Sequence, residues 1–446
     1  MPPRKISARD RAVAVLREVL ERGGRATPLL LQKSRGLSAA DQDLFRELVL
    51  GVLRWRAALD AEIASVSRVA LEKLAPKLRE ILEVALYQLR HLDRIPDYAA
   101  VSEAVSQARA SGGEGASKLV NGVLRGILLL PPPLPLPPGE GWGEGVPTAQ
   151  MLARHFSHPL FLVERWIRRF GPARTRAILE ADTAPSAMDL MANPRRGSRE
   201  ALAEALRGEG IQTEPSPLSP LGLTVVAGNP LRSPLFSAGL FTVQDAASQA
   251  LPLLLPQGDT LVDLAAAPGG KSFAALLLGR ARRSIALDRS LPRLRMLEEN
   301  RARLGLPEAL PVAADVGAPP LSAGRFDRVL YDAPCSGTGT LRKSPEIRYR
   351  ITPDSIGRLA SAQAAGLAAA AGLLSPGGYL LYATCSLEAE ENEGVVARVL
   401  SEDPRLELAP LEPAGDLAPH ISNGVFRVFP DSRVDGFTAH LLRRRA

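Results

Sequence analysis

The chain of 446 residues holds two cysteines, and each stands where an apolar run gives way to a polar turn. Cys335 lies in Asp332-Ala333-Pro334-Cys335-Ser336-Gly337-Thr338-Gly339. Cys385 lies in Tyr382-Ala383-Thr384-Cys385-Ser386, followed by an acidic run of Glu388, Glu390, Glu391, Asn392 and Glu393. A thiol does chemistry as its thiolate, and near neutrality only a few per cent of an ordinary cysteine is ionised, so such a site needs positive potential nearby. Two thiols are too few for a disulfide framework or a thiol-rich zinc site. A solitary cysteine commonly packs as a small apolar residue, but a pair placed at the ends of two neighbouring strands points to function.

A third motif, Asp263-Leu264-Ala265-Ala266-Ala267-Pro268-Gly269-Gly270-Lys271-Ser272, is a turn of small residues that opens into a helix. Its glycines allow a ligand to approach the backbone, and a helix N-terminus favours a nucleotide-like group. The spacing is not that of a phosphate-binding P-loop. Asp288 and Asp315 end the next two apolar runs; a carboxylate there binds ribose hydroxyls or an adenine edge, although a strand-end Asp also serves as a helix cap.

These motifs need a scaffold that brings strand ends together. From residue 257 onward, short Val/Leu/Ile runs at 260–264, 284–287, 310–313, 328–331 and 379–383 alternate with helical patterns at 272–278, 291–304 and 354–374. That alternation predicts an α/β doubly wound parallel sheet, whose ligand lies beyond the carboxyl ends of the strands. Ahead of it, residues 188–243 read as a small α+β module with one helix at 199–209. Residues 148–182 read as helical, with Arg165, Arg168, Arg169, Arg174 and Arg176 around Trp166 and Phe170, a composition that suits RNA. From 7 to 130 the spacing predicts an all-helical bundle with helices at 9–21, 41–55, 77–92, 99–110 and 117–129. Arg54, Arg56, Lys118 and Arg125 there are candidates to meet phosphate. The Pro- and Gly-rich stretch 131–147 predicts a linker.

The composition, 46% hydrophobic and 23% charged, is that of a soluble globular protein, and no apolar run reaches membrane-spanning length. No secretory signal pattern is visible, which makes a cytoplasmic location the default expectation, with a monomer as default state. The net charge of +7 suits a polyanion, and the first 130 residues concentrate it, with 21 Lys and Arg against 15 Asp and Glu.

Taken together, residues 264–272, 332–339 and 382–386 resemble the cofactor loop, Pro-Cys motif and Thr-Cys motif of the RNA cytosine-C5 methyltransferases. Phe241-Thr242-Val243-Gln244-Asp245, Glu299-Asn300, Arg342-Lys343-Ser344-Pro345-Glu346 and Asp435-Gly436-Phe437 extend the similarity across about 200 residues. The helical N-terminal region, with Asn121-Gly122-Val123-Leu124-Arg125, is similar to the NusB-like domain of the RsmB type within that family, which acts on bacterial 16S ribosomal RNA. The chain departs from the family in having Ala265 where Cys is common and Ser272 where Thr is common, and in the Pro/Gly insert.

The resemblance implies a NusB-like RNA-binding domain over 1–130, the linker 131–147, an RNA-binding module over 148–243 and a Rossmann-like catalytic domain over 244–446. It implies that Ala265, Ala266, Ala267, Pro268, Gly269, Gly270, Lys271, Asp288, Asp315 and Asp332 bind S-adenosylmethionine, with no metal. It further implies Cys385 as nucleophile, Cys335 as its partner in release and Asp332 as a catalytic group beside the base. The chemistry is consistent with this: C5 of cytosine is too poor a nucleophile to take a sulfonium methyl unaided, so a thiolate must first add at C6. The base must leave its stack, so flippable or single-stranded RNA is expected. Arg342, Lys343, Arg348 and Arg350 are placed to hold neighbouring phosphates. Three other readings stay open: a transfer RNA cytosine-C5 methyltransferase, a DNA cytosine methyltransferase using the Pro-Cys thiol, and a non-catalytic RNA-binding assembly factor.

Overall fold

Alternating residues along the C-terminal strands bury opposite sides of one sheet. Leu330, Leu381 and Ala383 enter one apolar cluster, while Val329, Tyr331, Leu380 and Tyr382 enter another. This period of two, apolar on both faces, is what a strand covered by helices on each side requires. The computed structural model describes residues 6–131, 148–411 and 415–446; most of the predicted linker, 132–147, lies outside the described residues. The chain forms two units, one of residues 1–184 with 341–350 and one of 185–340 with 351–446.

In the first unit the helices are α1 (Ala8–Arg22), α2 (Ala26–Lys33), α3 (Ala39–Val66), α4 (Pro76–His91), α5 (Asp97–Leu128), α6 (Ala149–His155), α7 (Leu160–Phe170) and α8 (Pro172–Thr183). Ser7 and Ser38 cap α1 and α3, each accepting from the backbone N–H three residues on. Gly51 lets α3 and α4 approach closely: a Cβ there would lie 2.0 Å from the Tyr87 ring. The two helices predicted at 99–110 and 117–129 run on as one element interrupted at Gly112 and Gly113, where the backbone leaves helical geometry.

This unit also contains the strap Leu341–Arg350, which comes from far along the chain. Arg348 donates to the carbonyl oxygens of Arg54 (2.8 Å), Phe156 (3.2 Å) and Asp182 (2.7 Å), and Tyr349 donates to Leu53 O at 2.6 Å. Arg54 in turn donates to Arg342 O, and Glu346 accepts from Ala26 N. Arg342 and Arg348 are 1% and 3% exposed. Their burial leaves no surface to hold phosphate as expected, and the Arg348 side chain instead answers backbone acceptors that burial would otherwise leave bare. Arg54 is buried too, and Trp166 is core, so neither offers the RNA surface expected of it.

The second unit begins with a four-stranded antiparallel sheet of β1 (Met188–Ala192), β2 (Gln212–Pro215), β3 (Gly222–Ala227) and β4 (Phe241–Val243), in the order β2-β3-β1-β4, with α9 (Arg199–Gly208). The segment 148–243, expected as one module, thus contributes helices to the first unit and this sheet to the second. Two short helices follow, α10 (Pro234–Ser237) and α11 (Ala246–Ala250).

The larger sheet carries β5 (Thr260–Asp263), β6 (Arg283–Asp288), β7 (Ala309–Ala313), β8 (Phe326–Asp332) and β9 (Leu374–Thr384), linked through α12 (Gly270–Leu277), α13 (Leu291–Leu304) and α14 (Pro353–Gly372). These five strands run parallel in the order β7-β6-β5-β8-β9. After α15 (Glu393–Glu402) come β10 (Leu406–Leu408), β11 (Ile421–Ser422), β12 (Val425–Val428) and β13 (Phe437–Arg444). β13 pairs antiparallel with β9, so the sheet is mixed, where the sequence pattern predicted only parallel strands. No described helix is long and apolar enough to cross a membrane.

Candidate active site

The strand order reverses direction at β5 and β8, which opens a crevice beyond their carboxyl ends. From β5 the chain enters the small-residue turn and then α12. Gly269 there has φ +107, and a Cβ on it would lie 2.2 Å from the Phe273 ring, so only glycine fits this approach of turn to helix. Asp263, at the end of β5, is fully buried and accepts from Ser272 Oγ at 2.8 Å. Burial pushes its carboxyl up to about 6, although the Ser272 hydrogen bond and Lys271 oppose the rise.

Lys271 reaches from the same turn to Asp332 at the end of β8, Nζ to Oδ2 2.5 Å. Burial pulls the lysine down, but the charge and hydrogen bond of Asp332, with Asp263 and the Cys385 sulfur nearby, outweigh it and hold Lys271 as a cation. Asp288 ends β6, nearly buried, accepting from Ser290 N at 2.9 Å and facing Arg293 at 3.2 Å. Asp315, beyond β7, is exposed and accepts from Gly317 N at 2.9 Å. Both carboxylates keep oxygen lone pairs for a ligand beyond these bonds. The small turn and these strand-end carboxylates fit a nucleoside-bearing cofactor such as S-adenosylmethionine.

β8 and β9 are adjacent, and the turns after them bring Cys335 Sγ to 3.2 Å from Cys385 Sγ, both half-buried. The hydrogen bond with Cys385 and burial, helped by the charges of Cys385, Glu391 and Asp332, raise the Cys335 thiol well above its ordinary value, so Cys335 holds its proton. The Thr-Cys turn is fixed by Thr384, whose hydroxyl donates to Asn392 Oδ1 at 2.6 Å, and by Asn392 Nδ2, which donates to Ser386 O and Glu388 O. Gly339 N donates to Cys385 O, and Gly436 N to Gly339 O, where a Cβ on Gly339 would lie 2.4 Å from Gly436 O.

The structure therefore brings together Cys335, Cys385, Asp332, Lys271 and the turn from Ala265 to Gly270, while Asp288 and Asp315 stand at the neighbouring strand ends. Sequence reasoning assigned no role to Glu391, which is fully buried and hydrogen-bonded to both cysteine turns. Its signal was present as one acid in a run otherwise suited to a solvated helix start. Among the described residues no cluster of three or more His, Cys, Asp or Glu could hold a metal ion.

A doubly wound sheet with a small-residue turn after its first strand, acids at the following strand ends and a thiol pair at the crevice defines a methyltransferase of Rossmann type. Family comparison gives the same class: residues 250–443 match the 16S rRNA methyltransferase RsmB/F model, 6–128 the NusB family, and 158–232 the ferredoxin-like domain of Methyltr_RsmF/B-like proteins. A probable ribosomal RNA small subunit methyltransferase B from Synechocystis is 35% identical over 97% of this chain and 98% of its own length. One from Bacillus subtilis is 32% identical over 99% and 100%. A crystal structure of a methyltransferase homologue from Pyrococcus horikoshii, 30% identical, covers 67% of this chain and 99% of that one with a TM-score of 0.57. The chain belongs to the RsmB/F family of S-adenosylmethionine-dependent methyltransferases.

Proposed function

We propose that this protein forms 5-methylcytosine in 16S ribosomal RNA, with Cys385 as nucleophile, in the cytoplasm and as a monomer. The observation that carries the reading is the 3.2 Å approach of Cys335 Sγ to Cys385 Sγ next to the Lys271–Asp332 pair. The names of the Synechocystis and Bacillus subtilis relatives support ribosomal RNA of the small subunit as substrate.

S-adenosylmethionine, held by Ala265 to Lys271, Asp288, Asp315 and Asp332, supplies an electrophilic methyl group. Cys335 keeps its proton, and its thiol and the Lys271 cation lie beside the sulfur that attacks, where each would stabilise negative charge. The Cys385 sulfur pair forms the bond to cytosine C6, which drives the ring electrons to C5 for methyl transfer. In this reading Asp332 meets the N3 and exocyclic amine edge, protonated or bridging, and neutralises charge that builds up on the ring. In release the C5 proton passes to solvent, the C5–C6 double bond re-forms, and Cys385 leaves with the C6–S electron pair, stabilised again by the Cys335 S–H.

The test is incubation of the protein with labelled S-adenosylmethionine and unmodified 16S RNA, transfer RNA in parallel, and mapping of 5-methylcytosine. Label at one 16S cytosine is the expected result. Label in transfer RNA alone would keep the chemistry and overturn the substrate.

A further inference from the structure

Of the acidic run after the Thr-Cys turn, Glu388, Glu391 and Asn392 are buried, and Glu391 reaches both cysteine turns. Glu391 is 0% exposed, and four donors converge on its carboxylate. Ser336 N (2.8 Å) and Gln363 Nε2 (2.9 Å) donate to Oε1. The hydroxyls of Ser336 and Ser386, the latter at 2.5 Å, donate to Oε2. Ser336 follows Cys335 and Ser386 follows Cys385, so one carboxylate oxygen joins the two Cys-Ser dipeptides. Gln363 also donates to Pro334 O at 2.9 Å, gripping the residue before Cys335, and Tyr382 Oη donates to Glu391 O at 2.6 Å. An ionised carboxylate is acceptor-only with about four lone-pair sites, which matches this shell of donors.

We propose that Glu391 is a positioning residue for methyl transfer, clamping the Cys335-Ser336 and Cys385-Ser386 dipeptides so that the two sulfurs act as one donor–acceptor pair. Its effect on turnover rests on the reading of Cys385 as nucleophile and Cys335 as release partner. Its effect on sulfur placement does not. A glutamine at this position keeps the shape but either turns its N–H₂ group toward Ser336 N and Gln363 Nε2, which cannot accept, or makes both serine hydroxyls acceptors, and in each case the charge-assisted bonds that join the two dipeptides are lost. Glu391 also contributes to the field that keeps Cys335 protonated.

The experiment compares the full-length wild type with E391Q and S336A, the latter removing one clamp bond while sparing the Ser336 N–H. Three quantities are read: S-adenosylmethionine affinity by calorimetry, single-turnover methyl transfer to unmodified 16S RNA, and the rate at which diamide joins Cys335 to Cys385. In that oxidation two thiols give up two electrons and two protons to the diazene, forming one S–S bond and a hydrazine. E391Q is expected to keep cofactor affinity within about 3-fold, lose about 10²-fold in turnover, leave a persistent protein–RNA adduct, and cross-link about 10-fold more slowly. S336A should move the same way by a smaller factor, and it decides the matter if E391Q does not fold. Unchanged turnover and cross-linking in the folded variant, or a loss of cofactor affinity that parallels the loss of turnover, overturns the clamp. If the wild type gives neither product nor adduct while E391Q still cross-links slowly, the catalytic reading fails and the clamp stands.

Discussion

At the residue scale, the two thiols 3.2 Å apart differ in what surrounds each. Cys335 is held as a thiol by its hydrogen bond to Cys385, by burial and by nearby carboxylates, while a lysine cation lies near Cys385. Lys271→Met removes that cation and should slow adduct formation about 10²-fold, the usual scale for a lost electrostatic contact at a reacting centre; Lys271→Arg should restore part of it. Stopped-time denaturing gels read this directly, and a change under threefold would refute the role of Lys271. Both cysteines and Lys271 were legible in the sequence, because a residue type used twice in 446 positions, or a lysine ending a glycine turn, stands out from its surroundings. Glu391 was not, because two of its side-chain partners, Ser336 and Gln363, lie 55 and 28 residues away and nothing local distinguishes it from the other acids of the run.

At the element scale, the parallel strands could be read from their apolar runs, and α13 falls on the predicted residues 291–304. The antiparallel addition of β13 to β9 could not, since a single apolar run carries no sign of strand direction. The strap Leu341–Arg350 shows the same limit. Four basic residues in a short stretch read as a phosphate clamp, yet arginine's type reports charge and not burial. Arg348→Ala should cost about 3 kcal/mol or more, since it leaves three buried carbonyls without their donor. The slope of RNA affinity against salt should not change, because no phosphate contact is lost; a slope shallower by about one unit would contradict the structural role. On α4, burial, reinforced by the charge of Glu21, raises the Glu80 carboxyl to about 7, with Arg17, Arg56 and Arg79 opposing. The unfolded chain releases this proton first, so the folded state loses stability as pH rises from about 4.5 to about 7, then no further. Glu80→Gln should therefore raise stability by about 1–2 kcal/mol at pH 8, allowing for solvent screening, and by nothing near pH 4. Thermal melts at the two pH values check it; an equal gain at both would show that packing, not ionisation, is responsible.

At the scale of the whole molecule, the first unit is not a contiguous stretch of chain: ten of its residues, 341–350, are supplied from beyond the Pro-Cys motif. A fragment of residues 1–184 should accordingly melt well below the same helices in the full chain, because Arg54 O, Phe156 O and Asp182 O lose Arg348 and Ala26 N loses Glu346. Supplying 341–350 as a peptide should recover part of the loss, and a fragment as stable as the intact chain would contradict the assignment of the strap. The helical fold of residues 6–128 and the sheet of 250–443 each carried a pattern that the sequence declared, whereas this long-range insertion could be seen only in three dimensions. Attack on the base by Cys385, with Cys335 serving its release, is tested in the full-length Cys335→Ala variant. That protein, mixed with unmodified 16S RNA and S-adenosylmethionine, denatured and digested, should yield a peptide carrying a methylated cytidine nucleotide on Cys385. An adduct that forms in Cys385→Ala and is lost in Cys335→Ala would contradict the assignment of the two thiols.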